Sequence, residues 1–331
     1  MKVISLFCGC GGFDLGIMGA FSYLGKHYKK TGHKIIFAND FDKNACSTNE
    51  ANLGSHVLCE DIRKVEEFPA ADMVIGGYPC QGFSIIGTRL VADKRNFLYL
   101  EYAKCLEKVN PKIFIAENVK GLLSLAGGEV INAMVKEFEL KGYKVVHQLL
   151  NAKNFGIPQD RERVFIVGVR KGLDFRFRFP KKTHGSDSEI KQLPLFQREN
   201  SLKPYVTLKN AIGNLSEPKE EELYTAKFSP IYMSRNRRRS WNEQSFTIQA
   251  GSMHVPLHPS SPPMKQIGID EWEFGEGISR RLTPKECMMI QSFPDDFKLY
   301  GEGFATQYRQ VGNAVPPVLA WHLSKNIPEK V

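Results

Sequence analysis

Cys80 follows a proline at the end of an apolar run, "ADMVIGGYPC". Glu117 closes a second run, "PKIFIAENV", and "QDRER" adds Arg161 and Arg163. A thiol, a carboxyl and a guanidinium brought together can activate C5 of a pyrimidine. Thiolate addition at C6 pushes electron density onto C5, a protonated carboxyl hydrogen-bonds N3, and an arginine holds the O2 carbonyl. Carbon C5 then captures an electrophilic carbon, and loss of its proton followed by elimination returns the thiol. The competing reading of Cys80 is a small buried residue beside a turn, because free cysteine is among the most frequently buried residue types. A free thiol with a pKa of about 8.5 is mostly protonated at neutral pH, so nucleophilic reactivity depends on the setting.

A second cluster lies upstream. "LFCGCGGFDLG" places Gly9, Gly11, Gly12 and Gly16 between a strand pattern and a helix pattern. Glycines there let the backbone approach a ligand, and the helix start supplies free N–H donors, which suits a nucleotide-like cofactor. A glycine-rich turn with no ligand is the alternative. Asp40 ends "KIIFAND", where a carboxylate can accept hydrogen bonds from a ribose diol. Its separation from the loop exceeds the usual roughly 20 residues, and "SYLGKHYKKTGHK" reads as the insertion responsible. Asp61, in "CEDIRK", closes a third segment and could face an adenine amino group. Each acid alone reads as a solvated carboxylate; together they outline a crevice at strand ends.

The elements that must position these groups alternate. "KVISLF", "KIIFAN", "ADMVIGGYP" and "PKIFIAENV" are strand candidates, separated by helical patterns such as "NFLYLEYAKCLEKV" and "EVINAMVKEFELKG". That alternation predicts an open, mostly parallel α/β sheet. "YKVVHQLLNA" and "RVFIVGVR" read as an antiparallel edge. Beyond about residue 172 the chain becomes basic, aromatic and proline-broken, as expected of a second, smaller, irregular domain. The division expected is 1–180 plus 300–331 for the catalytic domain and 181–299 for recognition and hinge. Near its end, "RRLTPKECMMIQSFPDDF" carries a capping box, with Thr283 as N-cap, Pro284 first in the helix and Glu286 third. "QVGNAVPPVLAWHLSKNI" reads as a turn leading to a closing helix.

The 331 residues carry 45 Lys plus Arg against 36 Asp plus Glu, a formal charge of +9 that favours a polyanionic partner. Seven scattered cysteines show no Cys-x2-Cys spacing, so no metal site is expected, and a reduced, cytoplasmic chain is the simplest reading. "MKVISLFCGCGG" lacks a cleavage site and reads as a first strand rather than a signal peptide. No apolar stretch reaches the roughly 18 residues of a membrane span.

The ordered set "LFCGCGGFDLG", "ND", "EDI", "GGYPCQGFS", "DKRNFLY", "AENV", "QDRERVFIVG", "RRLTPKE" and "QVGNAVPP" resembles the bacterial-type DNA (cytosine-5) methyltransferases, and the match covers nearly the whole chain. The resemblance implies a Rossmann-like methyltransferase sheet with a smaller DNA-recognition domain, S-adenosylmethionine as cofactor and duplex DNA as partner. It implies Cys80 as nucleophile, Glu117 on N3 and Arg163 on O2, with Arg161 shaping the pocket. Phe7, Gly9, Gly11, Gly12, Gly77 and Leu98 would line the cofactor. Asp40 would hold its ribose, Phe41 would stack on its adenine, Asp61 and Ile62 would bind the adenine edge, and Asn313 with Ala314 would close the methionine end. "GFSIIGTRLVADKR" corresponds to a loop that closes over DNA, flexing at Gly82 and Gly87 and offering Gln81, Ser84 and Arg89 as DNA contacts.

The same resemblance extends to sequence choice. Arg235, Arg237, Arg238 and Arg239 are expected at DNA, as a solvated basic face on phosphates or, for some, on guanine edges. "YMSRNRRRSWNEQSFTIQA…LHP" resembles the recognition region of GGCC-methylating members, with Met253 where that branch carries arginine. Other departures are Tyr78 ahead of Pro-Cys-Gln, Cys8 and Cys10 within the glycine loop, and Asn96 in "DKRNFLY". A monomeric, nucleoid-associated methylase paired with a restriction endonuclease is expected. The alternatives are a tRNA-methylating relative, an inactive DNA-binding homologue, and a nicotinamide dehydrogenase built on the glycine loop. The last leaves Pro-Cys-Gln and "GNAVPP" without a role.

Overall fold

The computed structural model describes residues 1–54, 57–79, 83–86, 89–92, 98–192 and 202–329, with 83–86 and 89–92 described by backbone alone. Seven strands form its main sheet: β1 (Lys2–Leu6), β2 (Lys34–Asp40), β3 (Val57–Cys59), β4 (Met73–Gly76), β5 (Ile113–Val119), β6 (Tyr143–Asn151) and β7 (Glu162–Arg170). Their order is β6–β7–β5–β4–β1–β2–β3. The run from β3 to β5 is parallel. β7 enters antiparallel between β5 and β6, so the expected antiparallel pair forms, with β6 at the edge.

The parallel strands are apolar on both faces, because helices cover both sides of such a sheet. Alternation along each strand sorts the side chains. Val3, Met73, Ile75, Ile113 and Ile115 enter one core, and Ile4, Leu6, Val74 and Phe114 the other. Helices α3 (Leu98–Val109) and α4 (Glu129–Leu140) cover the second core with Tyr102, Leu106, Met134 and Phe138. The first core is covered by α1 (Gly12–Met18), α5 (Pro284–Ile290), α6 (Phe304–Asn313) and α7 (Pro317–Ser324). Helix α2 (Lys43–Leu53) starts at Asp42, whose carboxylate accepts from the Asn44 and Ala45 amides.

The capping box forms as the sequence predicts: the Thr283 amide donates to Glu286 Oε2 at 2.7 Å, and the Glu286 amide donates to Thr283 Oγ1 at 3.2 Å. The "QVGNAVPP" reading needs correction. Gln310–Asn313 is the last turn of α6 rather than a loop, because Phe304, Tyr308 and Val311 repeat at helical spacing and pack on the first core. Only residues 314–316 turn, and Pro317 opens α7. In the segment expected as a closing loop, Phe83–Ile86 pairs antiparallel with Arg89–Ala92.

Residues 202–282 are largely irregular. Ile248, Val255 and Leu282 join the first core, while Tyr232, Leu257 and Met264 make a small cluster of their own. Among the described residues no helix is long and apolar enough to cross a membrane.

Candidate active site

Chain order reverses between β1 and β4: β2 and β3 lie on one side, β5 on the other. Open α/β sheets bind ligands beyond the strand carboxyl ends at such a switch. Phe7 leaves β1 and Gly77 leaves β4, so the glycine loop and the Pro79 turn flank one crevice.

On the β1 side the chain turns through left-handed residues, with φ of 54° at Phe7, 53° at Gly9 and 89° at Gly11. The Gly9 amide donates to Asp40 Oδ2 at 2.8 Å, and the Asp42 amide donates to Asp40 Oδ1 at 2.9 Å. Asp40 thus ties the loop to the end of β2, and burial pushes its carboxyl up against those two donors. The expected cofactor-lining glycines divide. A Cβ at Gly9 would meet nothing within 4 Å, so that corner is open. A Cβ at Gly11 would lie 2.7 Å from Leu53 Cδ1, and one at Gly12 would lie 2.5 Å from the Val315 carbonyl. Those two positions serve close packing.

Phe41, beside Asp40, is 76% exposed. Ile62 is buried, and Asp61 is engaged by Arg63, whose Nε donates to its Oδ1 at 2.9 Å. That guanidinium holds the Asp61 carboxyl down to about 2. Leu98 opens α3 and packs half-buried on the second core. Asn313 ends α6 exposed, and Ala314 is buried.

Beneath the loop lies a carboxyl that motif reading passed over. Asp14 is wholly buried, accepting from Ser5 Oγ at 2.5 Å and from Asn49 Nδ2 at 2.9 Å. Burial pushes it up to about 6. The available signal was an acid within the otherwise apolar turn "FDLGIM".

On the β4 side, Gly76 pairs with Ala116, which sets residue 77 beside Glu117. A Cβ at Gly77 would lie 3.0 Å from Glu117 Oε2, and Asn118 Nδ2 donates to the Tyr78 carbonyl at 3.0 Å. The Pro79 turn is therefore held on β5. Cys80 and Gln81 lie outside the described residues, and Ser84 and Arg89 are described by backbone alone. Across β5 and β7, Phe165 faces Glu117 and Arg163 faces Val119. A two-residue offset keeps Arg163 and Glu117 on one face. Arg163 Nε sits 3.0 Å from Glu117 Oε1, with both side chains nearly enclosed. Burial pushes the Glu117 carboxyl up, opposed by Arg163 and then Arg161.

Arg161 is buried and spends its donors on backbone carbonyls: Ile248 at 3.0 Å, Gly312 at 2.8 Å and Ala314 at 3.0 Å. It joins the strand lead, the irregular region and the Ala314 turn.

The basic block is not the solvated face its charge implied. Arg237 is buried, donating to the Tyr232 and Ile231 carbonyls at 2.8 and 3.0 Å. Arg238 donates to the Ser261 and Pro259 carbonyls, each at 2.9 Å, and Arg239 pairs with Glu243 at 2.8 Å. Neighbouring backbone carbonyls and a carboxylate absorb those donors. Arg235 is the exposed one of the four. It lines a 270 Å³ cavity with Asp160, Asn236, Thr247, Gln249 and His254.

The family described as C-5 cytosine-specific DNA methylase matches residues 1–329. The chain is 44% identical to the Type II methyltransferase M.BspRI of Lysinibacillus sphaericus, over 99% of this chain and 81% of that one. It is 39% identical to M.FnuDI of Fusobacterium nucleatum, over 99% and 94%. A solved mutant DNMT2 of Spodoptera frugiperda shares the fold at a TM-score of 0.70 and 20% identity, covering 98% of each chain. The chain therefore belongs to the C-5 cytosine-specific DNA methylase family, and it is a DNA cytosine-5 methyltransferase.

Proposed function

We propose that this methyltransferase acts on a cytosine swung out of duplex DNA at GGCC sites, through a covalent bond between Cys80 and C6. A base inside a duplex cannot expose C6, so it must leave the stack. Cys80 Sγ, as thiolate, adds to C6 and the ring electrons move to C5. Glu117, in its neutral form, donates to N3, and Arg163 donates to O2, so the developing charge is spread over two positioned donors. After C5 is alkylated it loses its proton, and the electrons of that C–H bond expel the Cys80 thiolate.

The observation that carries this reading is the enclosed Glu117–Arg163 pair beside Gly77, which precedes Cys80 by three residues in the sequence. Burial raises the carboxyl toward the neutral donor that N3 requires.

The open corner at Gly9, the Asp40 carboxylate and the exposed ring of Phe41 fit an adenosine-type cofactor. Asp40 would hold the ribose, Phe41 and Ile62 the adenine, and Phe7, Gly77, Leu98, Asn313 and Ala314 the remainder. S-adenosylmethionine supplies an electrophilic methyl group when bound there. Residues 1–180 with 300–331 serve as the catalytic domain, and 181–299 as recognition domain and hinge. The Type II methyltransferase relatives support pairing with a restriction endonuclease.

Bisulfite sequencing of DNA treated with enzyme and S-adenosylmethionine reports base and context together, and conversion-resistant cytosines confined to GGCC are expected. Duplex DNA carrying 5-fluorocytosine at the target should trap a covalent adduct, because fluorine blocks the elimination. Active enzyme that gives no adduct would rule out C6 addition. Cys80→Ala should abolish methyl transfer and retain DNA binding.

A further inference from the structure

Three buried polar side chains occupy the junction between the strand lead 158–161, the irregular segment 245–250 and the turn after α6. Gln159 and Gln291 are wholly enclosed, and Arg161 is 1% exposed. Gln159 Nε2 donates to Gln291 Oε1, and Gln159 Oε1 accepts from the Ile248 amide at 2.9 Å. Gln291 Nε2 donates to the Val311 and Ala314 carbonyls at 3.0 and 2.9 Å. Arg161 holds the Ile248, Gly312 and Ala314 carbonyls, so Ala314 is gripped twice.

The backbone reinforces this joint. Ser245 exchanges hydrogen bonds with Pro158 and Asp160 at 2.9 and 2.8 Å, and Thr247 Oγ1 donates to the Asp160 carbonyl at 2.7 Å. A Cβ on Gly312 would lie 2.3 Å from the Gln249 carbonyl carbon, so the two backbones are in direct contact. Segment 245–250 cannot shift without moving residues 312–314 or the strand lead. Thr247 and Gln249 line the cavity of Arg235 and His254, and β7 carries Arg163 two residues beyond Arg161.

We infer that Gln159 and Gln291 are positioning residues that couple the reading of a DNA sequence to the seating of Arg163 and Ala314. A correct site settles segment 245–250, and the buried amides carry that register to the catalytic strand and to the turn at Ala314. Enclosed amides serve such a role because a misplaced partner leaves a buried polar group unsatisfied, which favours one discrete arrangement.

This inference rests on the proposed methylation of duplex DNA, and its test separates the two. Wild-type enzyme is first assayed by bisulfite sequencing, which identifies its site. Single-turnover methylation is then measured on that site and on one with a single base pair altered, for wild type, Gln159→Met and Gln291→Met. Thr247→Val, which removes one hydrogen bond at the rim of the joint, serves where the glutamine variants fail to fold. Loss of register should slow the correct site about 10-fold or more, as misplacement of reacting groups by an ångström does. The altered site should change less than about 3-fold, so discrimination collapses. Rates on both sites falling by one common factor, or neither changing, overturns the inference and leaves the function intact. A wild-type enzyme that methylates no cytosine in DNA overturns both.

Discussion

Glu117 Oε1 and Arg163 Nε approach to 3.0 Å, yet that oxygen accepts no well-aligned hydrogen bond and is sealed from solvent. The pair is an enclosed contact of opposite charges with hydrogen-bonding capacity left unused. A ring placed over it could take up that capacity.

The first prediction concerns pH. Burial raises the Glu117 carboxyl above its usual 4.5, so its proton survives to higher pH than on an exposed glutamate. If the neutral form donates to N3, single-turnover methylation falls on the alkaline side as Glu117 ionises. In Glu117→Gln that limb should vanish, with the plateau lowered about 100-fold or more. An unchanged alkaline limb in the variant would assign the limb to another group.

A second expectation is thermodynamic. Asp14 titrates near 6 in the folded chain against 3.8 as a free side chain, so the native state holds the proton more tightly. The stability this contributes is full below about pH 4 and is lost as pH rises through about 6, roughly 3 kcal/mol in all. Urea unfolding of wild type and Asp14→Asn from pH 4 to 7.5 should show the wild type losing ground to the variant across that window. A constant difference would mean that Asp14 does not titrate there.

The arginine block predicts a division of labour. Arg237→Ala removes two carbonyl partners and a guanidinium 4.8 Å from the Tyr232 ring centre, and should cost about 2–3 kcal/mol of stability. Arg235→Ala should leave stability within about 0.5 kcal/mol while weakening DNA binding about tenfold. Thermal unfolding and fluorescence anisotropy on the same two variants check both halves.

Phe41 offers a clean test of the cofactor site, because its exposed ring supports no core. Phe41→Ala should raise the KM for S-adenosylmethionine about 3- to 10-fold, the worth of one stacked ring, without moving the melting temperature. An unaltered KM would place the adenine elsewhere.

What the sequence makes legible is local. Thr283 and Glu286 lie three residues apart, so their capping box can be read directly, and the strand-end positions of Glu117 and Asp40 follow from apolar runs. Groups that depend on distant partners are misread. Arg238 looks like a phosphate contact until the carbonyls of Pro259 and Ser261 are brought to it. That Gly12 must also leave room for the Val315 carbonyl is likewise invisible in the sequence. A near partner can be missed too: Asp61 reads as a solvated carboxylate although Arg63, two residues away, takes it, because whether that side chain curls back is invisible in one dimension. Gln159 opens the "QDRER" run and Gln291 follows the capping-box helix, yet neither stretch assigns them a role, and only their shared burial marks them.

The contact of α1 with α7 also constrains how the chain is made. A Cβ on Gly16 would lie 2.3 Å from Ala320 Cβ and from the Pro317 carbonyl, so α7 is the partner that fills this face of α1. A ribosome adds roughly 300 residues between them, which at about 5–20 residues per second takes on the order of 15–60 s. Throughout that interval the glycine-loop helix lacks its native cover, so this face of α1 is completed last, after the arginine-bearing region has already emerged.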